Sequence, residues 1–199
     1  ESTEYPPQVL GAMTARDEYL SHVPPQADKL GNRDQFEFQS ADFAFFYGHL
    51  EEAEKRYTAI YKTRCNEETK NKLKADSSGK TKNYGFEAWY RLQTIANIQA
   101  DQTGDTVKSR QLAETEKNAA TACAVSDVDK LRAESLFNPT IQGGFYKDAS
   151  AAFKKAQEMP EGPDRQKQWG LAGALYENAL KAAPDRDEAP EAAINGAYA

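Results

Sequence analysis

Residues 48–60 read Gly-His-Leu-Glu-Glu-Ala-Glu-Lys-Arg-Tyr-Thr-Ala-Ile. A small residue at Ala53 is followed four residues on by Tyr57 and three further by Ile60. The same spacing recurs at Ala149-Phe153-Ala156 and at Ala172-Tyr176-Ala179. Gly48 and Gly144 each stand five residues before the first Ala, and Pro184 follows Ala179 by five. Steps of three and four place all three side chains on one helical face. A small residue lets two helices approach, and an aromatic fills the space beside it. Recurrence of such a face is the pattern of stacked helical hairpins.

Working outward, the flanking segments carry helical periods too. Residues 8–22 hold Val9, Ala12, Met13, Tyr19 and Leu20 on one face, closed by Pro24 and Pro25. Residues 35–47 are aromatic on most sides, which predicts a helix buried between neighbours. Gly48 then allows a tight turn, and Glu51 and Glu52 suit the positive end of the next helix. Residues 66–84 form a lysine-rich insert, read as a helical extension and a loop. Helices follow over 84–101 and 105–124. Ser126 or Asp127 is positioned to cap a helix over 128–137, with Asn138 and Pro139 as its stop. Gly143 and Gly144 lead into another at 145–158, then 164–183 and 189–199. Residues 145–158 fit either the first or the second helix of a hairpin. No segment alternates as a strand would, so the expected class is all-α: an α-solenoid of about four antiparallel hairpins over 1–199.

Composition narrows function. The chain has 199 residues, 39% hydrophobic and 28% charged, with a net charge of −6. A thin core suits an elongated repeat fold. Without a basic stripe, nucleic acid is excluded as a partner. No apolar run reaches the ~20 residues that span a bilayer. The start at Glu1 and the helical pattern reaching Ala199 predict a piece of a longer array. Gly79-Lys80-Thr81 imitates the end of a phosphate-binding loop, but Lys74 stands where that motif needs Gly. His22 and His49 have no partner at metal-ligand spacing. No acid–base pair stands out, so neither a catalytic residue, a cofactor nor a metal is expected. Cys65 and Cys123 read either as two small buried hydrophobes or as one disulfide closing a loop of about 59 residues. A disulfide implies an oxidising compartment.

Residues 87–92, Glu-Ala-Trp-Tyr-Arg-Leu, resemble the opening of the first helix in tetratricopeptide-repeat proteins. Trp89 and Leu92 fall on that family's Trp and Leu positions, while Gln93 and Ala96 replace its small residue and its Tyr. Gly48, Ala53, Tyr57 and Ile60 are similar to its turn and second helix. So are Gly144, Ala149, Phe153 and Ala156, and again Ala172, Tyr176, Ala179 and Pro184. The likeness covers most of residues 12–199, and its irregular spacing resembles arrays in bacterial cell-envelope proteins. The resemblance implies a non-enzymatic protein–protein interaction module whose first helices line a concave groove for a peptide or partner helix. It puts Gln35, Phe38, Asp42, Phe45 and Phe46 in the groove, then Glu87, Tyr90, Arg91, Thr94 and Asn97. Two other readings stay open: a structural spacer or self-assembly element, and substrate-presenting repeats of an enzyme whose catalytic domain lies elsewhere. Location is read as periplasm or envelope, with cytoplasm as the alternative.

Overall fold

The structure, a computed structural model, describes residues 4–76 and 81–198. Among them the chain forms nine α-helices, one short 3₁₀ turn (Pro25–Ala27) and no strand, so the protein is all-α. The helices are α1 (Pro7–His22), α2 (Asn32–Phe46), α3 (Leu50–Arg64), α4 (Glu67–Ala75), α5 (Tyr84–Thr103), α6 (Thr106–Cys123), α7 (Asp127–Glu158), α8 (Pro163–Ala182) and α9 (Ala189–Tyr198). Packing divides the chain into two compact units, one of residues 1–95 with 119–130, the other of 96–118 with 131–199.

In the first unit, α2 and α3 form a hairpin whose turn is a Schellman motif. The N–H of His49 donates to Ala44 O at 2.9 Å and that of Gly48 to Phe45 O at 3.1 Å. This cap needs a left-handed residue, and Gly48 supplies it at φ 78°. The buried residues of α2 are Ser40, Ala41 and Ala44, not its rings. Phe38, Phe43 and Phe45 are half-buried and Phe46 is 66% exposed. The expectation of a helix buried on most sides is therefore corrected. Small side chains take the close contact because they let the backbones approach, and the larger rings are left at its margins.

The start of α2 and the end of α1 are laced together. Asp28 accepts from the backbone N–H of Arg33 at 2.9 Å and of Asn32 at 3.1 Å, and from the Tyr19 hydroxyl at 2.8 Å. Arg33 in turn donates to the carbonyls of Leu20 and Val23 near the end of α1. Asp28 thus satisfies orphan donors that the N-cap Gly31 cannot reach. The Arg33 N–H is the main cause that holds the Asp28 carboxyl below its ordinary value of 3.8; partial burial opposes it, and Tyr19 and Asn32 reinforce it. A depressed carboxyl stabilises the fold above its unfolded value, and that contribution is lost as pH falls through the folded value. Asp28→Asn should therefore destabilise the protein near neutrality and flatten its loss of Tm between about pH 5 and pH 2. Thermal melts across that range check this, and parallel curves for the two proteins would refute it.

Helix α7, whose first turn belongs to the first unit and the rest to the second, corrects the sequence expectation. A break at Asn138-Pro139 and a turn at Gly143-Gly144 were expected, yet one helix runs from Asp127 to Glu158 with Pro139 inside it. An interior proline costs about 3 kcal/mol because it removes one helix hydrogen bond and crowds the preceding turn. Here the carbonyl that loses its donor belongs to Ser135, an exposed residue, so water can serve it. Ala133, Phe137 and Ile141, one turn apart, are buried, and burial of that face offsets the cost of the proline. Gly144 is no turn residue either. A Cβ there would lie 2.7 Å from Arg110 Cβ, so glycine permits close contact with α6. Arg110 then pairs with Asp148 and covers the Phe145 ring at 4.1 Å. Residues 145–158 precede α8 across a short loop, and Tyr176 meets Tyr146 (5.5 Å) and Phe153 (6.4 Å) from α8. Ala149, Tyr176, Ala179 and Ala192 make the local core.

Candidate binding cleft

Helical register brings together residues from distant parts of the first unit. Phe38, Asp42 and Phe45 share a face of α2 at steps of four and three. Tyr84, Glu87 and Arg91 share a face of α5 at steps of three and four. The two faces meet at Asp42. Its Oδ1 accepts from the Tyr57 hydroxyl at 2.5 Å and lies 3.2 Å from Arg91 Nε. The Arg91 guanidinium also stands over the rings of Phe45 and Phe46, 5.6 Å from each centroid. Phe38 is bracketed by Tyr57 at 5.5 Å and Tyr84 at 5.4 Å.

Beside this pairing opens a cavity of about 540 Å³, walled by Phe38, Asp42, Glu87 and Arg91, with Leu73 and Lys82 from the insert. Asn83 fixes the rim. Its Oδ1 accepts from Phe86 N–H at 3.2 Å, capping α5, while its Nδ2 donates to Cys123 O at 2.9 Å. Asp129 completes it by accepting from Val125 N–H at 3.0 Å, as Ser126 Oγ accepts from Asp129 N–H at 3.1 Å. That reciprocal arrangement is close to a capping box and starts α7.

Burial is the largest of the effects that push the Tyr57 phenol far above its usual range; the hydrogen bond to Asp42 and the Asp42 charge add to it. Tyr57 is therefore a permanent donor. Asp42, held by a hydroxyl and a guanidinium, is a buttress rather than a free base. The walls carry apolar rings and both signs of charge, a lining suited to orienting a bound chain.

Of the ten groove positions expected from the sequence, Phe38, Asp42, Glu87 and Arg91 line the cavity, Phe45 and Phe46 lie under Arg91, and Gln35 is exposed. Tyr90 and Thr94 are half-buried on α5, and the Thr94 hydroxyl donates to the Tyr90 carbonyl at 3.2 Å. Asn97 belongs to the second unit, where it accepts from the Thr140 hydroxyl at 3.1 Å. Sequence reasoning missed Leu73, Lys82, Asn83 and Tyr84. The available signals were Asn83 as a cap before a helical run and Tyr84 one turn before Glu87. Gly79 and Lys80 of the imitation phosphate loop lie outside the described residues; the Thr81 N–H donates to Asp76 at 2.9 Å. His49 is half-buried with its ring 4.4 Å from Tyr5, and His22 bonds the Glu18 carbonyl at 2.8 Å. Among the described residues, no group of three or more His, Cys, Asp or Glu is placed to hold a metal ion, and no helix is long and apolar enough to cross a membrane.

Cys65, at the end of α3, and Cys123, at the end of α6, are joined in a disulfide with Cα atoms 5.1 Å apart. Compared with known proteins, the chain matches no family model, no curated protein and no solved structure at a significant level.

Proposed function

We propose that this chain is a non-enzymatic interaction scaffold that holds a peptide, or a helix of a partner protein, in the first-unit cleft. The observation that carries this reading is the cavity itself. Two helices separated by the whole insert present Phe38, Asp42, Glu87 and Arg91 to one space large enough for several side chains. Asp42 and Arg91 are already held by each other and by Tyr57, which favours recognition over proton transfer. The reading extends to a right-handed solenoid of tetratricopeptide-like hairpins. The Gly48 turn, the close approach at Ala41, Ala44 and Ala53, and Tyr57 filling the space beside them support it. The disulfide favours an oxidising compartment such as a bacterial envelope.

A displayed peptide library selected on the oxidised protein tests the proposal. Enriched peptides should bind wild type and lose at least tenfold in affinity, roughly 1.4 kcal/mol, against Glu87→Lys, with Tm little changed. Equal affinity for both proteins would move the site elsewhere. Should no peptide enrich, the self-assembly reading takes precedence. The exposed Ile194 and Tyr198, one turn apart on α9, favour it, and light scattering across concentration would then reveal association.

A further inference from the structure

Between α3 and α5 the chain leaves its helical path at Asn66 and returns at Asn83. Both ends of this excursion are fastened to one residue. Cys65, immediately before the Asn66 cap of α4, is disulfide-bonded to Cys123. Asn83, immediately before α5, donates to the Cys123 carbonyl at 2.9 Å. The ends also touch each other. A Cβ added to Gly85 would lie 3.2 Å from the Arg64 carbonyl carbon and 3.4 Å from Cys65 N.

Among the described residues between these fastenings, Glu67 and Glu68 pair with Lys70 and Lys72 about one turn on, and Asp76 accepts from the Thr81 N–H at 2.9 Å. Helix α4 buries no residue. A nine-residue helix is too short to persist in water by itself. Its Lys72–Glu68 pair is exposed, and exposed pairs contribute little. Yet the excursion supplies Leu73, Thr81 and Lys82 to the cavity that also holds Phe38, Glu87 and Arg91. Lys82 has no ion-pair partner among the described residues, so its charge is available to whatever enters.

We propose that residues 66–76 and 81–83 form a specificity wall of the cleft, set in place by the Cys65–Cys123 bond, and that a dithiol reductant loosens this wall and weakens the bound peptide. The proposal rests on the cleft being the peptide site. In the chemical step a reductant thiolate attacks Sγ of Cys65, the less buried of the two residues, and expels the Cys123 thiolate. The reductant's second thiol then displaces Cys65. Both cysteines end as thiols, and the reductant leaves as a cyclic disulfide, oxidised by two electrons.

Hydrogen exchange on the intact protein, with and without dithiothreitol, reads the wall directly. Reduction should speed exchange of the 67–75 amides at least tenfold while α8 and α9 stay protected. Asn83→Ala, with the disulfide intact, should speed exchange at 81–84 alone. A peptide selected on the oxidised protein should lose at least tenfold in affinity on reduction, and less than that against Lys82→Ala. Unchanged exchange in α4 would overturn the proposal. So would an unchanged Kd alongside a loosened α4. If no peptide binds either form, the failure falls on the cleft reading, and selective exchange in α4 still supports the fastening.

Discussion

Tyr57→Ala should lower the unfolding free energy of the first unit by about 4 kcal/mol, the upper range for truncating a buried aromatic. The ring is fully buried and meets Phe38 at 5.5 Å, so truncation leaves a void that the hairpin cannot close without shifting α2. It also removes the 2.5 Å hydrogen bond to Asp42, leaving that carboxylate with Arg91 alone. Tyr57→Phe separates the two effects. It keeps the ring and loses only the hydroxyl, which should remove about 1–2 kcal/mol. The chain has two tryptophans, one in each unit, and Trp89 stacks on Tyr61 at 3.6 Å in the first. In a Trp169→Phe background, urea unfolding followed by fluorescence therefore reports the first unit alone. A loss under about 1 kcal/mol for Tyr57→Ala would mean that the ring does not wedge the hairpin.

The hairpin around Tyr57 was legible because its determinants are local. Gly48, Ala53, Tyr57 and Ile60 lie within one turn and one helix, and a period of three to four residues is enough to orient them. The continuity of α7 was not legible. Pro139 and the Gly143-Gly144 pair are strong local break signals, and what overrides them is burial of the face that carries Ala133, Phe137 and Ile141. The aromatic run of α2 misled for a related reason: hydrophobicity marks what is worth burying, but Ala41 and Ala44 fix where two backbones touch. The cleft divides in the same way. Phe38 with Asp42, and Glu87 with Arg91, each follow from a step of four on one helix. That the two pairs face one cavity depends on the Arg91–Asp42 contact, which no single helix encodes. Leu73 and Lys82 join it from the insert, whose flanking Cys65 and Asn83 both contact Cys123. Asn97 continues the α5 pattern but belongs to the other unit, and register along a helix does not report where packing changes hands.

Cys65→Ala combined with Cys123→Ala should lower first-unit stability by about 4 kcal/mol in the chain-entropy model. The bonded residues are 58 apart in sequence, so the cross-link removes many conformations from the unfolded chain and rather few contacts from the folded one. A second, smaller loss comes from Cys123, which is 1% exposed; truncating it leaves a sulfur-sized void beside the carbonyl that Asn83 caps. The two contributions differ in signature. Releasing the cross-link expands the unfolded state and should raise the urea m-value, whereas a void lowers the midpoint at constant m. Urea melts of the oxidised protein and the double variant, again read through Trp89, therefore measure both. A fall in midpoint with unchanged m would assign the effect to packing. Two free thiols per chain in unreduced protein would remove the cross-link from the account altogether. Were the bond intact and the loss near 4 kcal/mol, an equilibrium stability of ordinary size, ~5–15 kcal/mol, would rest in large part on one oxidation. A protein built that way holds its first unit together best where thiols stay oxidised, because the link between the ends of α3 and α6 persists only there.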